Sequence, residues 1–381
     1  MSLTIESRQA VGATRRAGFT RGLRLVVAGL VAVFATLNCQ PIAHADDLDA
    51  ANEAAGYLIS KMVDGKYLMS DFGSASTTAE GILALAATQN PEYTPQLQAM
   101  TGYLTQQVED YISGRAEAAA KLVLVAIAAD VELTSFGGVD LLERVKAGIA
   151  EDGAFGEYPM AYASGLGIVA LIRAGQEVDP KLVDWMIGQA EPDGSFSYQK
   201  GGPGDPDNTA MAILALSALP DLSPEAAAAL EAAKKWAVDN QQPDGSWTGM
   251  AAVNSTALLG SALLAAGVDQ SKAITYLASS QAASGGLPAN LGEELPDTLA
   301  TTQAILLLSG QSYLTLQPLP AYQPGSATPV PTASSDSPGI NPDDDGVLME
   351  SQPLPMWVVP VVIVAAVIAL AAVVMARRKK H

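Results

Sequence analysis

One unit recurs along the chain and limits what it can fold into: the end of a helix, an Asp-Gly turn, an aromatic residue or leucine just beyond, a loop, and a second helix that is apolar almost all round. Its clearest copy runs from Trp185 through Pro192-Asp-Gly-Ser-Phe196, a loop from Ser197 to Asp205, and then Pro206 to Leu219. Five further copies align on the turn glycine and on the Ser or Thr that opens the apolar helix. The first has Asp64-Gly65-Lys-Tyr67 and a helix through Ser76 to Leu85. A degenerate second has Ser113-Gly114 and a helix from Ala116 to Ala129, and the third has Asp152-Gly-Ala-Phe155 and Ser164 to Leu171. The fifth has Gln242-Pro-Asp-Gly-Ser-Trp247 and Asn254 to Leu259, and the sixth has Gly285-Gly-Leu287 and Asp297 to Leu306. The turn glycines stand roughly forty to fifty residues apart, a spacing that marks repeated supersecondary units.

Each part of the unit has a physical reason. Glycine enters a positive φ cheaply, so Asp-Gly supplies the turn. Thr78, Ser164, Thr209 and Thr256 stand where a cap or first-turn residue belongs, with Asp207, Asn208, Asn254 and Asp297 as neighbouring cap candidates. Helices that are apolar all round must be buried on every side, whereas the preceding ones, such as Pro224 to Trp236, carry charge and face solvent. An all-α fold satisfies both demands: an α/α toroid of six helical hairpins, an α6/α6 barrel with six buried inner helices wrapped by six amphipathic ones. An open superhelix would leave an apolar inner helix exposed at each end unless it were capped.

The two ends read as address signals. Residues 1–45 combine five arginines, an apolar run from Leu25 to Leu37 and the small-residue site Ala43-His-Ala45, the layout of an export signal peptide. Met356 to Met375 carries no charge and is long enough to cross a bilayer as a helix, and Arg377-Arg-Lys-Lys380 follows it. Clustered cations stay cytoplasmic, which places the C-terminus inside and the main domain outside. The expected layout is a signal peptide over 1–45, the toroid over 46–315, a Pro/Ser/Asp-rich linker over 316–355, one transmembrane helix over 356–376 and a basic cytoplasmic tail over 377–381. That describes a single-pass protein of the cell membrane.

Between signal and anchor the chain holds 12 of its 21 basic residues and 39 of its 40 acidic ones, a net charge of −27. Such a surface argues against binding a phosphate backbone, so no nucleic-acid partner is expected. Cys39 is the only cysteine, and His44 and His381 the only histidines. An exported domain starting at Asp46 therefore has neither residue type. This removes Cys and His nucleophiles, thiolate or imidazole zinc sites and disulfides, and no metal or cofactor is expected.

The segments Gln241 to Trp247, Gln189 to Phe196 and Gln281 to Leu287 are versions of Gln-x-x-Asp-Gly-x-Trp. On these motifs, residues 50 to 310 resemble the squalene cyclase and protein prenyltransferase superfamily, whose members build terpenoid-cyclase-like α/α toroids from such repeats. What the resemblance implies for chemistry depends on the branch. The prenyltransferases hold a catalytic zinc with Asp, Cys and His, and the complement-like thioester domains need a Cys-Gly-Glu-Gln thioester; the exported domain offers no Cys or His for either. Protonation-initiated terpene cyclases use Asp-x-Asp-Asp-Thr-Ala with the middle Asp as the acid. The matching positions here read Asp205-Pro206-Asp207-Asn208-Thr209-Ala210, so this branch implies Asp207 as the general acid of an isoprenoid-converting enzyme. The chain departs from that pattern at Asn208, in lacking the partner His, in inner helices built mostly of Ala, Leu, Ile and Val, and in having one helical domain. Asn254-Ser-Thr256 and Asp297 to Thr301 occupy the same place in other repeats, where an Asx-Thr pair reads as helix capping. The transcobalamin-type carriers use the same toroid for binding without catalysis; their small β domain has no counterpart here.

The leading expectation is a tethered surface toroid that binds a ligand where the inner-helix N-termini converge, with Thr78, Tyr162, Ser164, Asp207, Asn208, Thr209, Asn254, Thr256, Asp297 and Thr301 as its rim. Unpaired N–H groups there would favour an anionic or hydrogen-bond-accepting ligand. The expected partner is a small molecule, isoprenoid or corrinoid-like, or a surface protein. A purely structural interaction domain is the remaining alternative.

Overall fold

The computed structural model describes residues 45–321, and the expected signal peptide, most of the linker, the membrane helix and the basic tail lie outside them. Among the described residues are twelve α-helices, one 3-10 turn at Pro91–Tyr93 and only isolated bridge pairs such as Ala190 with Phe196. None of these helices is long and apolar enough to cross a membrane.

The helices alternate between an outer and an inner layer. The outer ones are α1 (Ala45–Ser60), α3 (Thr94–Ile112), α5 (Leu141–Ala147), α7 (Pro180–Ile187), α9 (Pro224–Asp239) and α11 (Ser271–Ser280). The inner ones are α2 (Ser74–Ala87), α4 (Ala116–Ala128), α6 (Ala161–Arg173), α8 (Pro206–Ala218), α10 (Ala252–Ala265) and α12 (Thr298–Leu308). Each inner helix packs on the next, and α12 packs on α2, so the inner ring is closed. The terpenoid-cyclase-like α/α toroid is thus the fold, as the repeats predict. An outer helix, however, rests mainly on the inner helix that precedes it in the chain, and α1 accordingly seats on α12. The unit that packs is inner helix with following outer helix, offset by one element from the unit visible in the sequence.

The turn glycines are the joints of the outer layer. Gly153, Gly194, Gly245 and Gly285 hold φ between 87° and 95°. Each lies against the backbone of the next outer helix: Gly153 against Lys181, Gly194 against Ala232, Gly245 against Lys272 and Gly285 against Glu53. The last of these contacts returns to α1 and closes the outer ring. Gln281 supports it, its Nε2 donating to the carbonyls of Ala50 at 2.9 Å and Gly285 at 2.7 Å.

The threonines that open the inner helices fasten the other side of the turn. Thr78 Oγ1 accepts from Leu68 N–H, Thr209 from Phe196, Thr256 from Trp247 and Thr301 from Leu287, all at 2.9–3.0 Å. In the first repeat it is Leu68 that takes this buried position, one residue after the expected Tyr67, which instead stacks on Tyr103 with ring centroids 4.6 Å apart. The turn there is built differently, with both Asp64 and Gly65 at positive φ.

Burial on every side is visible in unbroken runs. Thr77 to Ala87, Asn208 to Leu216 and Ser255 to Leu263 are each buried without interruption. Nine successive residues cover every face of a helix, so the side facing the barrel axis is sealed from water along these stretches. The chain after α12 closes the end of the barrel where the inner helices finish. Arg173 on α6 donates to the carbonyls of Leu314 and Leu316, Leu319 N–H bonds Ala128 O at 3.1 Å, and Thr94 Oγ1 donates to Pro320 O at 2.8 Å. Residues 316–321, assigned to the linker from composition, continue this packing, with Leu316 buried.

Candidate functional site

The threonine hydroxyls point outward to their turns. On a helix, the residue two positions earlier lies about 200° round, toward the barrel axis. That register contains Ser76, Tyr162, Asp207, Asn254 and Leu299, with Glu117 on α4, where Ala119 stands in place of the Thr. All six are partly exposed, whereas Thr78, Ala119, Ser164, Thr209, Thr256 and Thr301 are fully buried. They share one level at the N-terminal end of the inner ring, the mouth of the barrel. One turn deeper stand Glu80, Lys121, Leu166, Met211 and Leu258, all buried, and Gln303.

The buried level carries an ion pair. Lys121 Nζ contacts Glu80 Oε1. Tyr313, rising from the segment that closes the far end, donates its hydroxyl to Glu80 Oε2 at 2.8 Å; Lys121 Nζ lies 3.1 Å from that hydroxyl and 4.3 Å from the ring centroid. Burial by itself pulls the Lys121 ammonium down, but the charges of Glu80, Tyr162 and Tyr313 outweigh it and hold it well above the ordinary lysine value. Neither the pair nor Tyr313 follows from the repeat pattern. The only signal in the sequence is one acid and one base of opposite sign, each set within the apolar stretch of an inner helix.

The mouth itself is rich in acceptors. Glu117 Oε2 and Asn254 Oδ1 are buried atoms with no hydrogen-bond partner, and the Ser255 hydroxyl stands beside the buried Asp207 carboxyl. Asn254 Nδ2 donates to Gln303 Oε1 at 3.1 Å. Burial pushes the Asp207 carboxyl up to about 6, the neighbouring Asp205 carboxylate adding to the rise and the Ser255 hydroxyl opposing it. Burial also raises the Tyr162 hydroxyl, which Lys121 draws back down. A cleft of about 240 Å³ extends outward from Ser76, lined by Phe72, Tyr103, Asp110, Tyr111 and Arg115 among others. Among the described residues no three His, Cys, Asp or Glu side chains are grouped to hold a metal ion.

The structure therefore divides the expected rim residues. Tyr162, Asp207 and Asn254 share the axis-facing register, and the Asp207 charge acts on the Tyr162 hydroxyl. Thr78, Thr209, Thr256 and Thr301 fasten turns on the opposite side of their helices, and Ser164 is fully buried with its hydroxyl unpartnered. Asp297 caps α12 by accepting from Ala300 N–H. Asn208 is buried and joins two helices, accepting from Tyr162 N–H at 2.9 Å while its Nδ2 donates to Asp205 Oδ1 at 2.8 Å. Asn290 does the same for Ala252 N–H at 2.9 Å. In four of the six inner helices a side chain thus takes one first-turn N–H, at Tyr162, Asn208, Ala252 and Ala300, and carboxylates stand at the same level.

Two outcomes follow from this division. Thr256→Val should lower the unfolding free energy by about 1–3 kcal/mol, because the buried Trp247 N–H loses its acceptor, and should leave the mouth unchanged. Denaturant melts give the first quantity; a cost near zero would mean that the threonine is dispensable to the turn. Asp207 acts through pH. Its folded value lies above the unfolded one, so the native state binds the extra proton and stability falls as pH rises from about 4 to about 6. Asp207→Asn should remove that slope and raise stability at pH 7 by about 1–3 kcal/mol. Parallel thermal melts from pH 4 to pH 7.5 decide this; equal slopes in both proteins would contradict it.

Neither a family model nor a curated relative matches the sequence. Solved structures do match in fold. Type II terpene cyclase MstE from Scytonema, in complex with geranylgeranyl dihydroxybenzoate, has a TM-score of 0.56 at 13% identity, over 70% of this chain and 97% of the cyclase. Haptocorrin in complex with Cbi gives 0.52 at 14% identity, over 73% of this chain and 70% of haptocorrin. An inactive alpha-1,6-mannanase variant of Salegentibacter, in complex with alpha-1,6-mannotriose, gives 0.51 at 14%, over 70% and 99%.

Proposed function

We propose that the chain is a membrane-anchored, extracytoplasmic α/α toroid that recognises a partner protein or small ligand at the mouth of its barrel, without metal-dependent catalysis. The observation that carries this reading is the packed axis one turn below the mouth, where the Glu80–Lys121 pair and Tyr313 are buried among Leu166, Met211 and Leu258. What remains open is the shallow mouth and the loops around it. The fold neighbours support ligand recognition as a use of this architecture, since their complexes contain geranylgeranyl dihydroxybenzoate, Cbi and mannotriose. The export signal and the apolar segment over 356–376 supply the address.

Native mass spectrometry of the full chain, purified from its producing cells in detergent, tests the reading. The expected spectrum shows the processed polypeptide with no isoprenoid-sized molecule enclosed. A second reading, isoprenoid conversion with Asp207 as general acid, draws on the cyclase fold and on the raised Asp207 carboxyl. A retained polyprenyl compound, together with turnover lost in Asp207→Asn, would replace the first reading with the second.

A further inference from the structure

The first repeat departs from the other units, and its departures meet in one place. A methyl group on its turn glycine, Gly65, would meet nothing within 4 Å, whereas Gly153, Gly194, Gly245 and Gly285 lie against the next outer helix. Its turn aromatic, Tyr67, is not buried like Phe155, Phe196 and Trp247 but stacks on Tyr103 of α3. That helix has 19 residues and is the longest described, while α5 and α7 fill the equivalent places with 7 and 8. Closing the outer layer therefore requires neither the displaced tyrosine nor the extra turns of α3.

These features border the cleft of about 240 Å³ that opens from Ser76 at the level of the mouth. One wall is the stripe of α3 carrying Tyr103, Gln107, Asp110 and Tyr111, positions spaced to share a helix face. Phe72, 69% exposed, lines it from the loop before α2, and Arg115 from the start of α4. The volume is below the roughly 300 Å³ of small drug-sized pockets, which suits one ring-sized group. Its walls are held in place. Ser74 Oγ and the Tyr103 hydroxyl are hydrogen-bonded at 2.7 Å, and Tyr67 backs the Tyr103 ring with centroids 4.6 Å apart. Arg115 donates one N–H to the Tyr111 carbonyl, with its guanidinium carbon 5.2 Å from the Tyr111 ring centroid, and keeps further donors. Burial raises the Tyr111 hydroxyl more than the Lys121 charge and the Ser76 hydroxyl lower it, so it stays neutral. Among the described residues no hydrogen bond engages the Gln107 amide or the Asp110 carboxylate.

We propose that this cleft is a saccharide-binding site, taking one pyranose ring of a neutral glycan against Phe72 and hydrogen-bonding its hydroxyls through Gln107, Asp110 and Arg115. A sugar ring presents an apolar face of C–H groups to an aromatic side chain and a rim of hydroxyls that both donate and accept. The cleft offers the matching set: aromatic surface, a carboxylate acceptor, a guanidinium donor and an amide that does both. A purely apolar ligand would leave those polar groups without partners. Asp110 and Arg115, the charged residues of the lining, are of opposite sign, and the acidic domain around them disfavours an anionic ligand. This rests on the recognition reading above, names the class of its ligand and places the contact beside α3.

The test uses the full chain in detergent with the neutral trisaccharides alpha-1,6-mannotriose, maltotriose, cellotriose and triacetylchitotriose. Saturation-transfer difference NMR should show binding of at least one, with the strongest transfer to ring C–H protons. Phe72→Ala should weaken that binding roughly tenfold, and Phe72→Tyr, which keeps the ring, should preserve it. Gln107→Ala combined with Asp110→Ala should weaken it by a similar factor, while Met250→Ala, an exposed side chain in the loop before α10, should not. Thermal melts confirm that every variant is folded. Equal loss in Phe72→Ala and Phe72→Tyr, or binding unchanged by the cleft variants, would overturn the inference. If the cleft variants bind normally and Asn254→Ala at the mouth does not, recognition at the mouth stands and the cleft is not its site. Absence of binding to all the trisaccharides also overturns the inference, and leaves the recognition reading to the mass spectrum.

Discussion

Lys121→Met should lower the unfolding free energy by roughly 3–5 kcal/mol, the cost of leaving a buried carboxylate without its counter-charge. The Lys121 and Glu80 side chains are 8% and 6% exposed, so solvent screens the pair little. Methionine keeps the length of the side chain and its packing, which isolates the charge. Removing both charges together, as Glu80→Leu with Lys121→Met, should recover most of the loss, because an apolar pair of similar volume requires no compensation. Urea unfolding of the single and double variants measures this. A single-variant cost below about 1 kcal/mol, the range of an exposed pair, would show that water reaches the axis. The pH dependence has a definite sign. The folded Lys121 value is raised, so its contribution is fully present below the ordinary lysine value and is lost only as the pH climbs through the higher folded one. The pair therefore holds across the neutral range.

Gly285→Ala should cost about 2–4 kcal/mol and loosen the toroid where its ends meet. Two penalties combine: the residue holds φ +87°, and a Cβ would stand 2.3 Å from the carbonyl oxygen of Glu53 on α1. Gly267 separates them. It has φ +80°, and a methyl group there would meet nothing within 4 Å, so Gly267→Ala should cost only the backbone part, about 1–2 kcal/mol. Amide exchange should show protection falling first in α1 and α11 of the Gly285 variant. Equal costs at the two glycines would mean that α1 yields to the new methyl group and does not close the ring rigidly.

Much of the fold is legible in the sequence because its signals are local. The apolar runs Ala210 to Leu216 and Thr256 to Leu259 are buried on all faces, as their composition requires. Asp297 caps α12 as its position before the apolar run implies. The site is less legible. Thr209 and Asp207 look equally like rim residues in sequence, yet a separation of two residues turns one to the turn and the other to the axis. Glu117 does not stand out because its repeat lacks the Asp-Gly signal and the threonine, so no register singles it out.

Turn chemistry and helix periodicity act over a few residues, and they suffice to specify six hairpins, their order and their buried faces. They cannot specify which helix each outer helix rests on, or what fills the axis. Glu80 meets Lys121 across 41 residues and Tyr313 across 233. No local pattern links positions so far apart. Glu80 and Lys121 meet because the consecutive inner helices α2 and α4 pack together, and Tyr313 reaches Glu80 only because α12 packs on α2 and closes the ring.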